Sequence, residues 1–257
     1  MSFQTLTLEI DNHVATITLN RPEMMNAFSE QLIWEMGEAT KTVKDDSQIR
    51  VLVITGEGRG FTAGADLSER DASWSDTKDA LERGYYPFLK NIIDMPKPVI
   101  GSINGAAAGI GAAVAMACDL RIMAKEAYIM SVFSNIALVP DGGLSFLLTR
   151  EIGYSRAFEY AIEAKKISAD ECLNLGIANK VVALDHLKES TMEWAHHLSK
   201  RSPQALANTK KLMRQAVTQS YDEIFAEEAK IQQSIFSNEE NLEGVTAFFE
   251  KREPNFK

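Results

Sequence analysis

Three short segments of the chain carry residue types and spacings that suit chemistry. The first is Gly60-Phe61-Thr62-Ala63-Gly64-Ala65-Asp66-Leu67, directly after an apolar run. Small residues here let a ligand approach the backbone closely. The second is Asn104-Gly105-Ala106-Ala107-Ala108-Gly109-Ile110-Gly111-Ala112-Ala113, where a buried strand turns into a helix of small residues. The N–H groups at a helix start have no partner within the helix, and the helix dipole favours negative charge there. Two such donors from different loops can hold a developing oxyanion. The third is Leu138-Val139-Pro140-Asp141-Gly142-Gly143, a single acid in an apolar stretch ahead of a helix over 144–150. Each segment alone also reads as plain structure: a tight turn, close helix packing, and a turn with Asp as a helix cap.

The elements that must position these segments are legible from patterning. Leu6–Ile10 and Val14–Leu19 alternate around Asp11-Asn12, which reads as two strands and a tight turn. Ser29 suits an N-cap, with Leu32, Ile33, Met36, Ala39 and Val43 at helical spacing behind it. The run 51–55 is continuously apolar, as in a strand buried on both faces, 98–103 reads as another buried strand, and 120–123 is a further strand. A helix is expected over 105–118 and a mobile loop or short helix over 68–86. Helical patterns then dominate: 155–164, 168–175, 184–200, 203–218, 221–235 and 238–251. Strands alternating with helices early and helices late give an α/β layered fold followed by a helical C-terminal part.

Composition excludes several classes. The 257 residues carry a net charge of −9, with 36 acidic against 27 basic side chains, which opposes nucleic-acid binding. No run reaches the roughly 18 apolar residues of a membrane span, and Met1–Glu9 lacks the charged and apolar regions of a signal peptide, so a soluble, cytoplasmic protein is expected. Cys118 and Cys172 lie in apolar surroundings without metal-ligand spacing, as in buried reduced thiols. The histidines at 13, 186, 196 and 197 lie away from all three segments, so neither a His-metal site nor a Ser-His-Asp triad is expected. Val114 stands where a dinucleotide G-x-G-x-x-G motif needs its last glycine.

In this order and spacing, the segments resemble the crotonase (enoyl-CoA hydratase/isomerase) superfamily over about residues 4–256. Asn20-Arg21-Pro22, Asn26-Ala27-Phe28, Lys97-Pro98-Val99-Ile100, Cys118-Asp119, Ile152-Gly153, Ala169 to Gly176 and Phe249-Glu250-Lys251-Arg252 add to the match. The resemblance implies a spiral of repeated ββα turns, with a core over 1–195 and a helical trimerisation region over 196–257. It implies trimers or pairs of trimers that bind acyl-CoA, with no cofactor beyond the coenzyme A of the substrate. The thioester oxygen would receive the backbone N–H groups of Ala65 and Ile110. Met25, Ala27, Ala63, Gly64, Asp66, Leu67, Gly109 and Phe133 would line the substrate, and Lys251 or Phe249 of a neighbouring subunit would reach the nucleotide.

The sequence departs from the family's hydratases. Their two water-activating glutamates match Ala113 and Phe133, neither of which can carry a proton. Asp141 matches the single acidic base of one class of the family's double-bond isomerases. One carboxylate can take a proton from the α carbon and return it at the γ carbon, so isomerisation is the expected reaction. A hydratase-type lyase and a catalytically silent CoA-binding member are the alternatives. A dehalogenase is disfavoured, since no histidine lies between residues 13 and 186. Phe133, Trp74, Tyr85 and Tyr86 are candidates for an aromatic acyl pocket, or for packing.

Overall fold

In the computed structural model, which describes residues 3–69 and 73–256, the chain winds between two sheets. β1 (Leu6–Asp11) and β2 (Val14–Leu19) pair antiparallel, with Asp11 opposite Val14. Asn12 and His13 take φ of 44° and 71°, the left-handed pair that a two-residue hairpin turn requires. A crossover through α1 (Glu30–Asp45) leads to β3 (Val51–Gly56), parallel to β2. Both ends of α1 are capped. The Ser29 hydroxyl accepts from Leu32 N at 3.2 Å, and the buried Lys97 ammonium donates to the carbonyls of Val43, Lys44 and Asp46. A cation at that end complements the helix dipole.

From β3 onward one turn repeats: a strand in the first sheet, a short strand in the second, then helix. β3 is followed by β4 (Gly60–Thr62), α2 (Thr77–Asp79), a π-helical turn (Ala80–Tyr85) and α3 (Tyr86–Asp94). β5 (Val99–Ile103) is followed by β6 (Ala106–Ala108) and α4 (Ile110–Ala117). β7 (Leu120–Ala124) is followed by β8 (Tyr128–Met130), α5 (Leu144–Ile152) and α6 (Tyr154–Ile162). β9 (Lys166–Ser168), α7 (Ala169–Asn174) and β10 (Lys180–Val182) extend both sheets. The first sheet runs β1-β2-β3-β5-β7-β10 and the second β4-β6-β8-β9. This is the expected ββα spiral.

α8 (Leu184–Ser199) packs across β3, β5 and β7, so the division expected at 195/196 falls inside a helix. α9 (Pro203–Ala216), α10 (Tyr221–Ile235) and α11 (Glu239–Glu250) complete the chain. Asp119 ties α9 to the spiral: it accepts from Val99 N and sits 2.7 Å from both Lys210 Nζ and Arg214 Nη2. Among the described residues, no helix is long and apolar enough to cross a membrane.

The helix expected over 105–118 is a correction. Residues 106–108 form β6, between β4 and β8, and the helix starts only at Ile110. Ala-rich sequence favours helix, but sheet pairing overrides so weak a preference, and Gly109 at φ 57°, ψ −126° breaks any helix there. The second difference lies at 68–86, of which residues 70–72 fall outside the described residues. From Thr77 the chain is helical through Asp94, widened by the π turn. Pro87 explains that widening. It has no N–H to give the Arg83 carbonyl, and its ring crowds that carbonyl. The preceding turn relaxes so that Tyr86 N bonds to Leu81 O, five residues back.

Candidate active site

The Asn20–Phe28 segment forms the frame of the first loop. Asn26 is fully buried at φ 55°. Its side-chain amide donates to the carbonyls of Glu57 and Gly60, both at 2.9 Å, and its side-chain oxygen accepts from Arg21 N. Thr62 Oγ1 donates to Asn26 O, and Ala63 N to Met25 O. Phe28 then pairs in a parallel bridge with Ala65: Phe28 N donates to Gly64 O at 2.7 Å, and Asp66 N donates to Phe28 O at 3.0 Å. In such a bridge the residue facing Phe28 turns its own N–H to the opposite side. The Ala65 N–H is therefore free for a ligand, and no backbone acceptor among the described residues takes it.

The second donor comes from the β6–α4 junction. Gly64 (φ 104°) lies against it so closely that a Cβ at Gly64 would sit 2.9 Å from Ala108 O. Gly109 N is bound to Met130 O, and Ile110 is the first residue of α4. Its N–H has no partner within the helix and carries the positive end of the dipole. Two glycine-lined backbones thus meet, each bearing one unengaged donor.

Asp141 is positioned by the glycine after it. Gly142 (φ 59°) is pressed onto α4 and α3: a Cβ there would lie 2.3 Å from Ile110 Cδ1, 2.9 Å from Ala113 Cβ and 3.4 Å from Leu89 Cδ1. This packing brings the loop that carries Asp141 against the first turn of α4, where the second donor lies. Its Oδ1 is buried with no hydrogen-bond partner, and burial pushes its pKa up to about 6. Of Leu138, Val139 and Phe133, the expected apolar setting of this acid, the first two are 56% and 78% exposed and only Phe133 is buried. Ala113 and Phe133, at the positions of the hydratase glutamates, are both buried, and Phe133 packs toward Gly109. Of the four aromatic candidates only Phe133 and Tyr85 are buried. Trp74 stacks on Trp34 at 5.1 Å, and Tyr86 is exposed.

Asp66 behaves differently from Asp141. It accepts from the Ser68 hydroxyl at 2.6 Å and lies 3.0 Å from Arg21 Nη1. The Ser68 hydroxyl and Arg21 hold its pKa below the usual carboxylate range. It is an ionised strut that fixes the loop. Glu69 accepts from Glu30 N at the start of α1. Ala63 and Leu67 sit on the open side of the loop, and Ala27 is buried beneath it. Met25 is left-handed (φ 53°), with its sulfur 2.8 Å from Arg59 Nε, a cation that sequence reading passed over. Lys251 is the left-handed C-cap of α11, in the C-terminal helical part. The structuring role of Asn26 was also missed: its signal, a polar residue between two turns, is common in any loop. Among the described residues, no group of three or more His, Cys, Asp or Glu could hold a metal ion.

A ββα spiral, with two free backbone donors on glycine-lined loops beside one desolvated carboxylate, defines a crotonase-type α/β protein. The chain belongs to the enoyl-CoA hydratase/isomerase family, whose model matches residues 9–257, and it is an acyl-CoA enzyme of that family. It is 36% identical over 256 residues to a probable enoyl-CoA hydratase of Rhodobacter capsulatus, covering 100% of this chain and 99% of that one. It is 35% identical over 251 residues to the 1,2-epoxyphenylacetyl-CoA isomerase of Escherichia coli, covering 96% of each. The crystal structure of enoyl-CoA hydratase from Bacillus anthracis superposes with a TM-score of 0.94 at 30% identity, covering 99% of both chains.

Proposed function

We propose that the protein moves a double bond in an acyl-CoA thioester, converting 3-enoyl-CoA to 2-enoyl-CoA, with Asp141 as the proton shuttle. The observation that carries this reading is the contrast at the site. Asp141 has a buried, unbonded oxygen and a raised pKa, while Ala113 and Phe133 around it are apolar and buried. Water addition needs a second group to orient and activate the water, and neither position supplies one. Isomerisation needs a single base that is returned to its starting state.

The thioester oxygen would accept from Ala65 N and Ile110 N. As Asp141 removes the α proton, charge moves onto that oxygen. One such donor is worth about 3–4 kcal/mol of transition-state stabilisation. Protonated Asp141 then delivers the proton to the γ carbon. A carboxyl near pKa 6 suits both halves, because neither protonation state is strongly preferred near neutral pH. The coenzyme A portion would run over Met25, Ala27 and Ala63 to Leu67, and the reaction calls for no separate cofactor. Of the relatives above, the Escherichia coli protein carries an isomerase name and the other two carry hydratase names, and the choice of isomerisation is supported by the residues at 113, 133 and 141.

The C-terminal helices expose Phe225, Phe236, Phe248 and Phe249 by more than half each. A trimer, or a pair of trimers, would cover such apolar surface and bring Lys251 of one copy toward another. The test of the function is turnover of 3-enoyl-CoA and, separately, 2-enoyl-CoA by wild type and Asp141→Asn. The reading expects isomerisation that the variant loses, and little hydration. Efficient hydration would establish a hydratase. Silence on both, with acyl-CoA still bound, would establish a silent binder.

A further inference from the structure

The second donor hangs on a residue that cannot hold its own orientation. The Ile110 N–H shares a peptide plane with the Gly109 carbonyl, so its direction follows the Gly109 dihedrals. Gly109 stands at φ 57°, ψ −126°, a region that glycine enters readily, and it has no side chain to fix it there. Gly109 N donates to Met130 O at 3.0 Å, which pins one side of the residue. The other side meets the neighbouring loops. At the point where a Cβ would project from Gly109, Val132 Cγ2 is 3.3 Å away, Gly64 Cα 3.8 Å and Phe133 Cζ 3.9 Å.

Gly64 precedes Ala65, which carries the first donor. A Val132 methyl therefore lies where the two donor backbones meet, and nearer to that point than the Phe133 ring. Val132 is itself held firmly. It follows β8 and opens a short helical turn (Phe133–Ile136). Its carbonyl accepts from Asn135 N at 3.1 Å, and Phe133 O accepts from Leu138 N at 3.0 Å. Its branched Cβ leaves the side chain few rotamers. Val132 is half-buried, while Phe133 beside it is buried.

We propose that Val132 is a positioning residue: its methyl is the wedge that sets the angle of the Gly109–Ile110 peptide against the Ala65 loop, and so the spacing of the two N–H groups on the thioester oxygen. That role rests on the acyl-CoA reading of the two donors, and does not depend on Asp141. Preorganised donors work only where the oxyanion forms, and a misplacement of about 1 Å can cost about 10²-fold. Alanine at 132 removes both γ methyls and leaves Gly109 room to turn.

The test reads the carbonyl directly. Hexanoyl-CoA with an isotopically labelled thioester carbonyl is bound to wild type, Val132→Ala and Val132→Ile, and the carbonyl stretch is followed by difference infrared spectroscopy. Two aligned donors should lower that frequency in wild type. In Val132→Ala the lowering should shrink, kcat on 3-enoyl-CoA should fall by about tenfold or more, and the calorimetric affinity for hexanoyl-CoA should change less than kcat. Val132→Ile, which keeps the branched Cβ, should restore most of the lowering. Thermal unfolding checks that both variants fold. A lowering in Val132→Ala equal to that of wild type, or one that Val132→Ile fails to restore, overturns the proposal. No lowering in wild type overturns the two-donor reading and the wedge with it. Lowering that follows residue 132 as expected, in a protein that does not isomerise, supports the wedge and overturns only the reaction assigned to Asp141.

Discussion

Replacing Asp141 by Asn separates catalysis from stability in opposite directions. The substitution keeps the shape and removes the proton carrier. General acid–base groups are worth about 10²–10⁴-fold; one group here serves two transfers of which one limits the rate, so kcat should fall by a factor in that range. Folding should respond the other way. Burial pushes the folded carboxyl up to about 6 from its ordinary 3.8, so the folded protein binds more protons than the unfolded chain across that window. Wild-type stability is therefore fully present below the unfolded pKa and is lost as pH rises through the folded one. One pKa unit is about 1.4 kcal/mol, and with solvent screening at a partly open site the charged form costs on the order of 1–2 kcal/mol. Asn escapes that cost. Asp141→Asn should match wild type in Tm near pH 4 and exceed it by a few degrees at pH 8, while being nearly inactive throughout. Differential scanning fluorimetry at several pH values, paired with the isomerase assay, checks both halves. A variant that is equally inactive but less stable at pH 8 would rule out a buried, costly carboxylate, since its loss would then be structural.

Three further outcomes follow from the geometry. Wild-type kcat/KM should rise with pH and level off above about 6, because Asp141 must be ionised to accept the α proton; a profile flat from pH 5 to 8 would contradict this. Gly64→Ala places a Cβ 2.9 Å from Ala108 O at φ 104° and should displace the Ala65 donor, lowering kcat by about 10²–10³-fold with a smaller change in acyl-CoA affinity by calorimetry. Asn26→Ala leaves the Glu57 and Gly60 carbonyls and the Arg21 N–H without their partner and should cost about 2–4 kcal/mol in urea unfolding.

The layered α/β order and the long elements were legible because buried strands such as 51–56 and the capped helix behind Ser29 carry strong local signals. The three-residue strands β4, β8, β9 and β10 were not, since alternation needs more residues than they have. β6 was hidden for a different reason: three alanines read as helix, and only their place between two other strands makes them sheet. At the site, the glycines and the lone Asp141 stood out by type. What held its loop did not, because Gly142 packs on Leu89, Ile110 and Ala113 from distant elements, while Leu138 and Val139, near Asp141 in sequence, are exposed. The π turn that carries Tyr85 depends on Pro87 being retained within a continuing helix, which sequence reasoning would take as a stop.

In the proposed reaction one carboxylate carries one proton between two carbons. Purified protein incubated with 3-enoyl-CoA deuterated at the α carbon, with the product followed by mass spectrometry, tests it most directly. The expected result is 2-enoyl-CoA with part of the deuterium delivered to the γ carbon, no hydrated product, and no conversion by Asp141→Asn. Formation of 3-hydroxyacyl-CoA, or conversion that persists in Asp141→Asn, would contradict it.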